Sequence, residues 1–283
     1  MRSNFKLVIF LIYLFISFSL QALGHGELQE KSLSYEGITQ VRIQGERFDI
    51  QVMGDPSGVL TGTIQGDSQD RITLKRSGDL LTIEVDNDGS FFSNRLPGSM
   101  VLHVPKLCDL DLRTGSGRIQ VEGLEEGKLV LESASGDLVA RNLQRKGRFN
   151  SASGSVTLTN ISGAVRISTA SGSIRGKDLG VGTEAKSVSG SIELQNPVGA
   201  LRLGSTSGSL FVKDWMAYSD SDFSSISGSI RIQGINQADF SIQAGSTSGE
   251  ISLWGSSQGH RTTTGNGDVK IKVTTVSGNI TIE

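Results

Sequence analysis

The chain has 283 residues, 36 of them Gly and only 4 Pro, with 20 % charged and 36 % hydrophobic residues. This excludes a collagen-like repeat, a Pro-rich linker and charge-driven disorder. A net charge of −2 argues against a nucleic-acid partner, because neutralising phosphates takes a basic face.

The chain opens with Arg2 and Lys6, followed by an almost wholly apolar run of 14 residues, Leu7 to Leu20. Ala22 and Gly24 are small residues at the −3 and −1 positions of a cleavage site. This is the pattern of a secretory signal peptide, shorter than the roughly 20 apolar residues of a membrane span. Residues 1–24 are expected to be cleaved, an uncleaved anchor being the alternative. Removing Arg2 and Lys6 takes 27 cations to 25 against 29 acids, a net of −4. The expected location is outside the cytoplasm, periplasmic or at the cell surface, with no stable membrane span after cleavage. One Cys, Cys108, excludes an intramolecular disulfide and zinc sites built from several Cys. Only His25, His103 and His260 are available as histidine bases or ligands.

Residues 25–105 are β-rich and weakly periodic, as in ITQVRIQG, FDIQVMG, RITLKRSG and SMVLHVP. They read as irregular first coils or as a small β cap closing one end of the region 106–283. The segment DNDGSFFSNRLPG (86–98), with Phe91 and Phe92, is the longest irregular stretch among them.

From Gly117 a repeat takes over. Gly117, Gly136, Gly154, Gly172, Gly190, Gly208, Gly228, Gly249, Gly267 and Gly278 are spaced by 19, 18, 18, 18, 18, 20, 21, 18 and 11 residues. All but Gly267 follow a Ser. Two residues after each Gly stands an aliphatic (Ile119, Leu138, Val156, Ile174, Ile192) and four after it usually another, with polar residues between. That alternation is a half-buried strand. Six after it stand Gly123, Asn142, Asn160, Asp178, Asn196 and Asp214, residue types that tolerate left-handed backbone in a turn. A second apolar pair follows in several copies, such as Val165 with Ile167 and Leu201 with Leu203.

One such unit cannot bury its apolar face, but stacked copies can. The fold class is therefore all-β, a single-stranded β-solenoid of about 18-residue Ser-Gly repeats, with coils about 4.8 Å apart. Two or three strands per coil, and either handedness, fit the pattern. Hexapeptide helices and calcium-binding nonapeptide repeats do not fit, since neither period is present.

The run VLHVPKLCDLDLRTGSGRIQVEG (101–123), with the Ser-Gly units after it, resembles the DUF4097 family, whose members carry an adhesin label. The resemblance covers about 38–283. It implies a β-solenoid exported to the bacterial envelope and no catalytic residues.

Candidate chemistry is sparse. Thr-Gly-Ser-Gly at 114–117 lacks the Lys and the helix of a phosphate loop, and no nucleophile elbow is present. Asp178 and Asp214 in the turn column are the only candidates for a carboxylate pair of a polysaccharide-active enzyme. Twelve after the Gly, Arg148, Arg166, Glu184 and Arg202 form a ladder, with Arg141, Arg145 and Lys146 nearby. The ladder reads as a solvated face or as a cationic strip for anionic glycans. The stretch 211–223 brings Trp215, Met216, Tyr218 and Phe223, and Trp254 lies two repeats later. These aromatics either present a surface for sugars or a protein partner, or fold onto the solenoid. The chain ends inside a strand, SGNITIE, which would leave an unpaired edge for a second copy or a partner strand.

The expected function is an exported, non-enzymatic solenoid acting as an adhesin or envelope scaffold. Its partners would be envelope glycans or a protein, with edge-to-edge self-association through the last strand. No catalytic residue, metal or cofactor is expected. The ligand-binding candidates are Trp215, Tyr218, Phe223, Trp254, Arg148, Arg166 and Arg202. The alternatives are a polysaccharide-active β-helix enzyme and an envelope-stress sensor.

Overall fold

The computed structural model describes residues 28–68, 70–86, 98–236 and 239–283, and contains no helix among them. The candidate signal peptide, His25 and the Phe91–Phe92 pair lie outside the described residues. In chain order the first strands are β1 (Leu28–Glu36), β2 (Gln40–Gly45), β3 (Phe48–Asp55), β4 (Val59–Asp67), β5 (Arg71–Ser77), β6 (Leu80–Asp86) and β7 (Gly98–Pro105). Coils of two strands follow: β8 (Asp109–Thr114) with β9 (Ile119–Glu122), β10 (Leu129–Ser133) with β11 (Leu138–Leu143), and β12 (Gly147–Ser151) with β13 (Val156–Ile161). Next come β14 (Val165–Thr169) with β15 (Ile174–Leu179), β16 (Thr183–Ser187) with β17 (Ile192–Gln195), and β18 (Leu201–Ser205) with β19 (Leu210–Trp215). The last are β20 (Ser221–Ser225) with β21 (Ile230–Ile235), β22 (Phe240–Ser246) with β23 (Ile251–Leu253), the short β24 (Ser256–Gln258) and β25 (Arg261–Thr264), and β26 (Val269–Thr275) with β27 (Ile280–Ile282).

The solenoid is two-sided. Every regular coil gives one strand to each of two sheets. Sheet A runs β1-β4-β7-β3-β9-β11-β13-β15-β17-β19-β21-β27-β23-β24, and sheet B runs β25-β22-β26-β20-β18-β16-β14-β12-β10-β8-β2-β6-β5. The coils pair in parallel without slippage, for example Leu129 with Gly147 and Gly147 with Val165. Alternate residues therefore point into one dry core between the sheets, where Ile119, Leu138, Val156, Ile174, Ile192 and Leu210 stack with almost no exposure.

The corner glycines are fixed by their neighbours. A Cβ on Gly136, Gly154, Gly172, Gly190 or Gly208 would sit closer than 3.0 Å to the carbonyl oxygen of the corner glycine one coil before. The hydroxyl that serves the corner belongs to the residue three before the Gly. The N–H of Gly172 donates to Thr169 Oγ1 at 3.0 Å, that of Gly190 to Ser187 Oγ at 2.8 Å and that of Gly208 to Ser205 Oγ at 2.8 Å. The turn column behaves as its residue types demand, with φ of 54, 55, 53, 52 and 53° at Asn142, Asn160, Asp178, Asn196 and Asp214.

Both ends depart from simple winding. The coil of β6 and β7 is inserted between β2–β3 and an antiparallel cap made of β4 and β5. At the other end β22–β23 leaves one coil position vacant, β24 and β25 cap it antiparallel, and β26–β27 returns to fill the position. The final strand is thus no edge: Ile280 pairs with Ile230 on one side and Ile251 on the other. This corrects the expectation of an open last coil. Gly267 is likewise no corner of the repeat, because Val269 after it pairs with Phe240 in sheet B. The true edges are short, as in β24 and β25, or charged, as in β1 with Glu30 and Lys31 and β5 with Lys75 and Arg76.

Candidate functional site

The outward residues of β10, β12, β14, β16 and β18 are register partners: Val130, Arg148, Arg166, Glu184 and Arg202. The +12 column is therefore a physical ladder across sheet B. Beside it lie the residues that precede each strand, Lys128, Lys146, Ala164, Gly182 and Ala200. Together the two columns border a groove of about 690 Å³ along the solenoid axis. Small residues form its floor. Gly182 stands at a φ of +86°, and even a Cβ there would be 3.6 Å from Ala164.

Charge in the groove is uneven. Glu184 is held between Arg166 Nη2 at 2.8 Å and Lys186 Nζ at 2.9 Å. The Lys186 hydrogen bond, then its charge and that of Arg166, hold the carboxyl below its ordinary value. Arg148, Arg202, Lys128 and Lys146 are exposed and have no ion pair among the described residues. Thr183, which also lines the groove and is 2 % exposed, has the one buried side-chain oxygen without a hydrogen-bond partner among the described residues.

Arg145 does not join this strip. Its guanidinium is buried and satisfied by backbone carbonyls: Nη1 donates to Cys108 O at 2.7 Å, Nη2 to Lys106 O at 2.6 Å and Glu126 O at 3.0 Å, and Nε to Glu125 O. Burial lowers its pKa from the ordinary arginine value. It ties together the corners of successive coils. Cys108 beside it is buried, and burial pushes its thiol up to about 12.

The aromatics divide. Trp215 and Phe223 are fully buried, their rings edge-to-face with centroids 5.4 Å apart, and the Trp215 indole N–H donates to Gly199 O at 2.9 Å. They are core, which corrects their reading as contact residues. Trp215 stands seven after Gly208, as Leu143, Ile161 and Leu179 stand seven after their glycines, all buried. That column was present in the sequence and marks Trp215 as an inward residue. Tyr218 remains exposed, its hydroxyl 2.7 Å from Met216 Sδ. Trp254 is 52 % exposed at a two-residue hairpin tip between β23 and β24, with φ of +48°, stacked on Phe240 at 6.3 Å. Phe240 lies in β22, three strands beyond β18 in sheet B, so this patch is separate from the groove.

Asp178 and Asp214 belong to the turn ladder, where Asn196 Nδ2 donates to Asp178 Oδ1 at 2.9 Å and Asn160 Nδ2 to Asn142 Oδ1 at 2.9 Å. Among the described residues no group of three or more His, Cys, Asp or Glu is placed to hold a metal ion. The groove members that sequence reasoning missed are Lys128, Ala164, Gly182, Ala200 and Thr183, whereas Lys146 was among the basic neighbours of the ladder. Their signal is the run of small residues just before each sheet B strand, with Lys at one end.

Three solved structures are similar to this chain. One, named a "putative adhesin" from Bacteroides fragilis, is 14% identical with a TM-score of 0.47, covering 91% of this chain and 97% of that chain. A "putative lipid binding protein" from Parabacteroides distasonis is 16% identical with a TM-score of 0.47, covering 92% and 98%. A "putative adhesin" from Parabacteroides merdae is 11% identical with a TM-score of 0.44, covering 92% and 98%. No curated protein matches the chain. The family model described as Toastrack DUF4097 matches residues 38–283, and the chain belongs to that family.

Proposed function

We propose that the protein is an exported, non-enzymatic β-solenoid that works as an adhesin or envelope scaffold and holds an envelope ligand in the groove of sheet B. The observation that supports this is the convergence of Lys128, Lys146, Arg148, Arg166 and Arg202 on one concave surface. Small backbone-level residues leave room there, and rigid coils fix the side-chain spacing. A preformed concavity with a few convergent polar groups is the usual form of a binding site. Of the candidate carboxylates, by contrast, Asp178 accepts a turn hydrogen bond from Asn196, and Asp214 stands two coils away in the same turn column. The leader supports export, and Tyr218 and Trp254 offer secondary contacts.

The test is co-sedimentation of the purified protein with envelope preparations. The wild type is compared with the combined Arg148→Glu, Arg166→Glu and Arg202→Glu variant, with protease accessibility on intact and permeabilised cells alongside. The expected result is co-sedimentation that the variant loses, and protection from protease inside the cytoplasm in neither case. Equal co-sedimentation of both proteins, or a protein retained in the cytoplasm, would contradict the reading.

A further inference from the structure

We propose that the groove takes a linear acidic polysaccharide, lying along the solenoid axis with its anionic groups on Arg148, Arg166 and Arg202. This rests on the binding reading above and adds the class of ligand. Three features of the groove support it together.

The first is charge. The chain as a whole carries −2, yet the groove brings five cations against the single acid Glu184. That acid is already shared between Arg166 and Lys186. The cationic character is therefore local, and neither Arg148 nor Arg202 is ion-paired among the described residues, Asp222 standing beside Arg202 at the far end of the column. Guanidinium groups take planar carboxylates, sulfates and phosphates through paired hydrogen bonds.

The second is periodicity. Arg148, Arg166 and Arg202 share one register column on β12, β14 and β18, and the strands from β12 to β18 span roughly 14 Å at about 4.8 Å each. A ligand matching a straight row of cations is itself a repeating linear anion. The third is the floor. Ala164, Gly182 and Ala200 leave space at backbone level, and most of the exposed wall is apolar, as the C–H faces of sugar rings require.

A membrane surface fits less well. It needs cations projecting over a plane, whereas these border a concavity, and the neighbouring strands present Asp111, Glu132 and Asp222 beside them. Single-stranded nucleic acid needs aromatic platforms, and no lining residue is aromatic.

The experiment titrates the purified chain with oligogalacturonate, with maltooligosaccharide as the neutral comparator and vesicles of phosphatidylglycerol in phosphatidylcholine as the lipid arm. Oligogalacturonate is expected to bind, and to bind more weakly as salt rises. Arg148→Gln with Arg202→Gln should weaken it about tenfold, through the loss of charge-assisted hydrogen bonds. Glu184→Gln should tighten it about threefold by removing a repulsive carboxylate. Ala164→Leu with Ala200→Leu fills the floor without touching charge and should abolish binding while leaving the thermal midpoint in place. The inference is overturned if the wild type ignores oligogalacturonate, if the floor-filling variant binds as well as the wild type, or if vesicles are preferred. Continued co-sedimentation with envelopes after any of these would remove the ligand class alone. Loss of both would remove the binding reading as well.

Discussion

At a corner of the solenoid, a glycine is required because the next coil has a glycine in the same place. The Cβ of an alanine at Gly172 would press on the carbonyl of Gly154, a backbone atom that cannot move without shifting the strand attached to it. Gly172→Ala should destabilise the protein by about 3 kcal/mol, as overpacking does. Gly245→Ala, where nothing lies within 4 Å and φ is ordinary, should change stability by only about 0.5 kcal/mol, in the stabilising direction. Denaturant unfolding of the two variants checks this, and equal effects would contradict the stacked corner. The Ser-Gly pairs made the repeat legible in the sequence, but not the hydroxyl that serves its corner. The serine before the Gly is exposed, whereas the Ser or Thr three before it is buried and caps the Gly N–H. Periodicity finds both columns, and only the bend geometry tells which oxygen reaches the amide. Arg145 was hidden for a related reason. Its run of basic neighbours suggested a surface, and a buried guanidinium satisfied wholly by carbonyls has no sequence partner to announce it.

Within the coils, the strands differ mainly in what fills the space between the sheets. Trp215 and Phe223 occupy inward columns that elsewhere hold Leu, Ile, Ala, Val and Phe149, and the extra residues between Gly208 and Gly228 accommodate the loop that follows the indole. Trp215→Ala should cost about 4 kcal/mol, the range for deleting a large buried aromatic. Tyr218→Ala, at an exposed residue whose hydroxyl donates to Met216 Sδ, should cost about 0.5 kcal/mol or less. Thermal and denaturant midpoints measure both, and a small effect at Trp215 would return it to the surface. The clustering of aromatics in a longer repeat drew attention to this loop, but residue type alone does not say which way a side chain points. Its distance from the corner Gly does. The arginine ladder needed no such correction, because Arg148, Arg166, Glu184 and Arg202, each 18 residues after the last on an alternating strand, face one way in any solenoid of that period.

Across the whole molecule, both ends are closed by antiparallel strands and a coil wound in out of order: β6–β7 lies between β2–β3 and the cap of β4 and β5, and β26–β27 lies between β20–β21 and β22–β23. The hairpins replace open parallel edges with short or charged ones, which discourages stacking of further copies. Winding in sequence order is what a repeat leads one to expect. The insertion was not legible, because β22–β23 and β26–β27 carry the same pattern and only their partners distinguish them. If β26–β27 lies inside the sheets, its amides should exchange with solvent as slowly as those of β20 and β21, although it ends the chain. Rapid exchange at Val269–Thr275 and Ile280–Ile282 would place that coil outside.

The regular core is thus a ruler, and sheet B uses it to hold cations in line over a floor of small residues. The measurement that tests this most directly is a methyl footprint by NMR, adding solubilised envelope oligosaccharide to protein labelled at Ala, Ile, Leu and Val. The account predicts shifts concentrated at Ala164, Ala200, Val130 and Val165, around the groove. Shifts concentrated instead at the cap that carries Trp254 and Phe240, with the groove methyls unmoved, would contradict it.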